Sequence, residues 1–267
     1  MKHVISKFGL AAAAFCASVS LSAASIEWSE STADVLVLGE NHDNPTHHAR
    51  QQNAVNEIQP KAVVFEMLTP QEAALLADVP RDAAAMEAAS AAFHWNNIAD
   101  YAGVLSVSSV IVGAALSRDD MRAAFSDGAV SVFGEDAEIY GLTGPLPKTE
   151  QETRETLQFD AHCAAMPREM MGGMVQAQRL RDAAFARTVI ETIDTYGLPV
   201  VLVTGNGHAR TDWGVPTYLA RVRPDLDVVS VGQGERGDAP AGVFSSVITD
   251  APAPDRGNPC DAFKTSN

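Results

Sequence analysis

The feature that most constrains the fold is the stretch Asp34 to Arg50, DVLVLGENHDNPTHHAR, where four strand-forming residues run straight into a polar loop and a helix start. Val35 to Leu38 is apolar at every position. A strand apolar on both faces belongs inside a mostly parallel sheet covered by helices on either side. Gly39 lets the chain leave the sheet. Pro45 and Thr46 then open a helix to about Glu57, with Gln51, Val55 and Ile58 on its inner face. Glu40 and His42 therefore stand just past the strand's carboxyl end, the edge at which open α/β sheets bind ligands.

The pattern recurs along the chain. Lys61 to Met67, KAVVFEM, reads as a second strand with Glu66 near its carboxyl end, and Val110 to Ala114 as a third. Pro199 to Thr204, PVVLVT, is a fourth that ends in Gly205, Asn206, Gly207, His208, Ala209 and Arg210. Leu226 to Val231 supplies a fifth strand and Gly242 to Ile248 an edge strand. Between them, the Ala-rich stretch from Pro70 to about Val107 predicts two or three helices forming an inserted helical subdomain. Ser117 with Asp119 and Asp120 starts another helix by N-capping. The glycines and prolines from Gly128 to Lys148 read as a loop. Thr149 to about Tyr196 reads as helix in two pieces broken at Met166-Pro167, and a short helix is expected at Tyr218 to Arg223. The expected fold is α/β, a mostly parallel central sheet flanked by helices.

At the amino terminus, Lys2, His3 and Lys7 precede an apolar run from Phe8 to Val19, followed by Ser22, Ala23 and Ala24. That is the pattern of a signal peptide over residues 1–24, so a periplasmic or secreted protein is expected. Phe15 before Cys16 argues against a lipoprotein signal. No other run has the length of a transmembrane segment. The net charge of -15 becomes two units more negative once Lys2 and Lys7 leave with the signal. Such a chain repels nucleic acid and anionic lipid and tolerates cations. In an oxidising compartment Cys163 and Cys260 are expected to form a disulfide. The tail, residues 250–267, is rich in Ala, Pro and Asp and is expected outside the sheet.

If the strands are parallel, Glu40, His42, Glu66, Asn206, His208 and Arg210 lie along one edge. Glu40, His42, Glu66 and His208 offer two carboxylates and two imidazoles, a donor set that can hold a divalent metal ion with positions left for water. His47 and His48 are adjacent on a helix and point some 100° apart, so at most one faces the site and the other is expected in solvent. His94 and His162 have no acidic or His partner at ligand spacing and read as ordinary polar residues. Met166, Met170, Met171 and Met174 recur at helical spacing, which fits core packing or, alternatively, an adaptable apolar surface for a ligand or a second subunit.

Taken in order, GENHDNPTHH, VVFEM, DAHCAAMP with AQRLRDAAFA, and VTGNGHARTDWGVP resemble the ChaN-like family of haem-binding uptake proteins in the Tiki superfamily, over about residues 34–233. The resemblance implies a haem-binding domain in iron uptake, with pairs of haems held between subunits of a homodimer. It also implies Tyr and His iron ligands, for which Tyr101, Tyr140 and His208 are the candidates, with Arg210 beside a propionate. The wider superfamily includes metal-dependent hydrolases whose active-site Glu and His resemble Glu40 and His42 and, less closely, Glu66 and His208. An exported hydrolase acting through these four residues is therefore the alternative expectation.

Overall fold

A computed structural model describes residues 27–95, 97–254, 256–258 and 260–261; the expected signal peptide lies outside the described residues. Among the described residues, six strands form one parallel sheet: β1 (Val35–Glu40), β2 (Ala62–Phe65), β3 (Ile111–Gly113), β4 (Val200–Gly205), β5 (Val228–Glu235) and β6 (Ser246–Asp250). Their order across the sheet is β3-β2-β4-β1-β5-β6. β1 is central, with Val35 paired to both Val200 and Val228.

The unbroken apolar runs have a direct explanation in the packing. Side chains alternate across a strand, and here each face meets its own core. Val35, Val37, Val200 and Leu202 enter one core, with α5 (Arg118–Asp127), α6 (Ala129–Phe133), α8 (Met171–Tyr196) and α10 (Val215–Val222). Leu36, Leu38, Val201 and Val203 enter the other, beneath α1 (Pro45–Ile58), α2 (Pro70–Leu75), α3 (Ala83–Ser90) and α4 (Ala102–Val107). The Ala-rich insertion thus forms the helical layer of one sheet face. α7 (Lys148–Ala161) packs along α8, and the single turn α9 (Asn206–Ala209) follows β4 directly. Among the described residues no helix is long and apolar enough to cross a membrane.

Residues 128–148 are not simply a loop. Gly128 and Gly134, at φ 90° and 84°, bracket α6, and a 3-10 turn follows at Glu135–Ala137. Gly128 and Gly134 are helix boundaries, and between them Ala129 and Phe133 bury into the core, whereas Gly141 and Gly144 lie in a turn and a bend as expected. The methionines divide: Met171 is buried in the protein, Met170 is exposed and Met174 half-buried, so the group does not form one ligand or subunit surface. Cys163, in the link between α7 and α8, is disulfide-bonded to Cys260 across 97 residues, with Cα atoms 5.4 Å apart. That bond anchors the tail, which Arg256 also pins by ion pairs to Asp43 and Glu235.

Candidate functional site

Strand alternation decides what the edge can do. Glu40 continues the side of Leu36 and Leu38 and enters the layer of α1 and α4, whereas Glu66, one residue past β2, continues the side of Val64 and faces α8. The two carboxylates therefore leave the sheet on opposite faces. Each gathers its own partners.

Glu40 is buried. Its Oε1 accepts from Tyr101 Oη at 2.5 Å and lies 2.8 Å from His42 Nδ1; its Oε2 accepts from Gln51 Nε2 at 2.8 Å and lies 3.3 Å from His48 Nε2. Burial pushes its pKa up, but hydrogen bonds and charge from His42 and His48 outweigh that and hold it at about 2. His42 answers in the opposite sense: burial lowers it, while the bond to Glu40 and the charge of Glu66 raise it above the ordinary imidazole value.

Glu66 is also buried. Arg181 Nη2 donates to its Oε1 at 2.9 Å, Thr204 Oγ1 and the Gly205 N–H donate to its Oε2 at 2.6 and 2.8 Å, and His208 Nε2 lies at 3.5 Å. Burial opposes ionisation here too, yet His208 and Arg181 bring the carboxyl well below its usual range. Behind it, His208 Nδ1 lies 2.7 Å from Asp182 Oδ1 and 3.1 Å from Gln178 Nε2. Asp182 is wholly buried, which raises its pKa despite the neighbouring His208.

Between these clusters opens a cleft of about 980 Å³ bordered by Glu40, His42, Glu66, Arg181, His208 and Arg256. Beside it, a cavity of about 340 Å³ is lined by Arg154, Arg210 and Trp213. A third, of about 540 Å³, is lined by His42, Asp43, His94, Trp95, Asn97 and Arg118.

Several expectations are corrected. Among the described residues, no three His, Cys, Asp or Glu side chains are arranged to hold a metal ion. Glu40, His42, Glu66 and His208 share an edge but not a coordination sphere, because the carboxylate oxygens are taken by Tyr101, Gln51, Thr204, Gly205 and the Arg181 cation. His47 is not in solvent; it is fully buried, its Nδ1 accepting from the Asn41 N–H at 3.0 Å. His94 has an acidic partner after all, with Nδ1 2.9 and 2.8 Å from the two oxygens of Glu72. Arg210 forms a two-bond pair with Asp212 at 2.8 and 2.6 Å and stacks 3.5 Å from the Trp213 ring, so its charge is already matched.

The tyrosines are likewise engaged. Tyr101 is fully buried, and burial together with Glu40 drives its phenol far above the ordinary range, away from tyrosinate. Tyr140 packs against Phe133 in the opposite core, 4.8 Å between ring centroids, and burial pushes it up to about 12. The residues that sequence reasoning missed are mainly Gln178, Arg181 and Asp182. Their i, i+3, i+4 spacing on one helix face was the available signal.

The all-parallel α/β sheet carries two oppositely buried Glu/His clusters at its carboxyl edge, around an open cleft, which defines an α/β protein with a candidate ligand site at that edge. The chain belongs to the family described as haem-binding uptake, Tiki superfamily, ChaN, which matches residues 29–219. Among solved structures, it is similar to that of cofacial haem binding to ChaN of Campylobacter jejuni, with a TM-score of 0.59 and 20% identity over 80% of this chain and 86% of that one. The type III effector HopBA1 is a looser match, with a TM-score of 0.44 and 9% identity over 82% of this chain and 88% of the other. No curated protein matches the sequence.

Proposed function

We propose that this chain is an exported haem-binding protein of haem or iron uptake, which binds haem at the carboxyl edge of its sheet. The family match over residues 29–219, which spans β1 to β4 and the loops that carry Glu40, His42, Glu66 and His208, carries the reading. The local chemistry fits the group: imidazoles and an aromatic ring border open cavities, and Arg118 on the rim has no ion-pair partner among the described residues. In a chain of net charge -15, such a cation suits a ligand bearing two carboxylates. Haem when bound would supply the iron and its redox and ligand chemistry; the protein would supply donor atoms, an aromatic surface and charge. Haemin titration of the mature protein tests the reading. A saturable Soret shift at a defined stoichiometry is expected, and featureless, non-saturating absorbance would refute it. Sedimentation with and without haemin tests whether the loaded form is a homodimer.

One observation favours a second reading, hydrolysis. His42 and His208 each meet a carboxylate through Nδ1, the arrangement that orients an imidazole as a base, and Glu66, paired with Arg181, lies 3.9 Å from His42 Nε2 and 3.5 Å from His208 Nε2. Glu40→Gln should then abolish turnover of any ester or amide found by substrate screening. Full retained activity would remove Glu40 from that role.

A further inference from the structure

Resting on the haem reading, we propose that the 540 Å³ cavity is the haem site of this chain, with His94 Nε2 as an iron ligand and Arg118 as the partner of a propionate. Six histidines are described, and their surroundings separate them. His47, His48 and His208 are at most 5% exposed. His162 is bonded through Nδ1 to the Gln158 carbonyl and borders none of the three cavities. His42 is more open, but its Nε2 lies only 2.8 Å from the point where a side chain on Gly205 would begin and 3.9 Å from Glu66 Oε2. An imidazole–metal bond is about 2 Å long. A porphyrin plane brought that close to His42 would run into the β4 edge and the Glu66 carboxylate.

His94 has none of these obstacles. Its side chain is 38% exposed. Its Nδ1 faces both oxygens of Glu72, a carboxylate that also accepts from the Thr69 N–H and hydroxyl and from the His94 N–H, at 2.7 to 2.9 Å. Thr69 and Glu72 form the capping box of α2, so this acceptor is fixed by a helix start. Since a carboxylate so placed can only accept, Nδ1 is the donor nitrogen and Nε2 is the one left to ligate. That is the tautomer a metal requires, and orientation through the other ring nitrogen by a carboxylate is the usual support of a metal-binding histidine. Trp95 lines the same cavity, its ring edge-on to His42 with centroids 5.0 Å apart, and offers an aromatic surface to the macrocycle. Arg118, the first residue of α5, is exposed and lines the same cavity.

The test is haemin titration of the mature wild-type protein and of His94→Gly, followed by absorption and EPR spectra, with His162→Gln as the control. His94→Gly should lose the wild-type Soret position and ferric g-values, and added imidazole should restore them by filling the vacated ligand position. His94→Gln, judged by the same spectra without the rescue, replaces it if the glycine variant does not fold. Arg118→Ala should keep the wild-type spectrum while weakening haemin binding about fivefold. A wild-type spectrum in folded His94→Gly or His94→Gln would overturn the ligand assignment and leave haem binding intact. Absence of saturable binding by the wild type would instead overturn the haem reading itself.

Discussion

Replacing Glu40 by Gln removes a buried negative charge from between two histidines, and the structure sets both the size and the pH window of the loss. The folded carboxyl titrates at about 2 against an ordinary 4.5. A group with a depressed folded pKa contributes stability that is fully present above its unfolded pKa and lost as pH falls through the folded one. The displacement corresponds to about 3 kcal/mol at pH above 4.5. His42 closes the window from the other side. Its pKa is raised from 6.5, so its contribution is complete below 6.5 and fades as pH climbs through the raised value. The wild type should therefore exceed Glu40→Gln in stability most between about pH 4.5 and 6.5. Urea denaturation followed by circular dichroism, from pH 3 to 9 with the disulfide intact, measures this. A midpoint difference on the order of 1 M is expected in the window and a smaller one at either end. A difference constant across pH, or largest at pH 3, would show that the loss comes from altered packing and not from the carboxylate's charge.

Other consequences are open to direct measurement. Denatured, unreduced mature protein should contain no titratable thiol, and Cys163→Ala should cost about 2 to 4 kcal/mol, because the bridge closes a loop of nearly a hundred residues. Met171→Ala should cost about 2 to 4 kcal/mol in thermal or urea unfolding, whereas Met170→Ala should stay within about 0.5. A methyl group on Gly113 would meet the Thr69 carbonyl oxygen at 2.3 Å, so Gly113→Ala should destabilise by about 1 to 3 kcal/mol, read as a lowered urea midpoint. Glu72→Gln should weaken haemin affinity some 10- to 100-fold in titration by unfixing the His94 tautomer.

The strands were legible because each face of the sheet has a core of its own, so VLVL, AVVF and VVLV carry no polar interruption for periodicity to miss. The edge was legible for the same reason: where the apolar run stops, the ligand-facing loop begins. What could not be read was which way each carboxylate turns. Glu40 and Glu66 look equivalent as strand-end acids, yet one residue of strand phase sends them to opposite faces, and among the described residues no group of three metal ligands results. Asp182 and Arg181 lie in a helix far along the chain, and nothing in their neighbourhood names Glu66 or His208 as partners. The Glu72–His94 pair was hidden similarly, since helix α3 intervenes between the two. The glycines around α6 misled because the same residue that permits a loop also ends a helix.

The position of β1 also governs how the chain can assemble. Among the described residues it is the first strand in the chain and, with β4, one of the two innermost in the sheet, yet both of its neighbours, β4 and β5, arrive more than half the chain later. Until then, VLVL has no partner on either edge, and β2 and β3 have only each other. Contacts this distant in sequence make folding slow and leave sticky strands uncovered meanwhile. The newborn chain therefore depends on being shielded until its last third is available, and a truncation before β4 would leave an aggregating fragment in place of a smaller working domain.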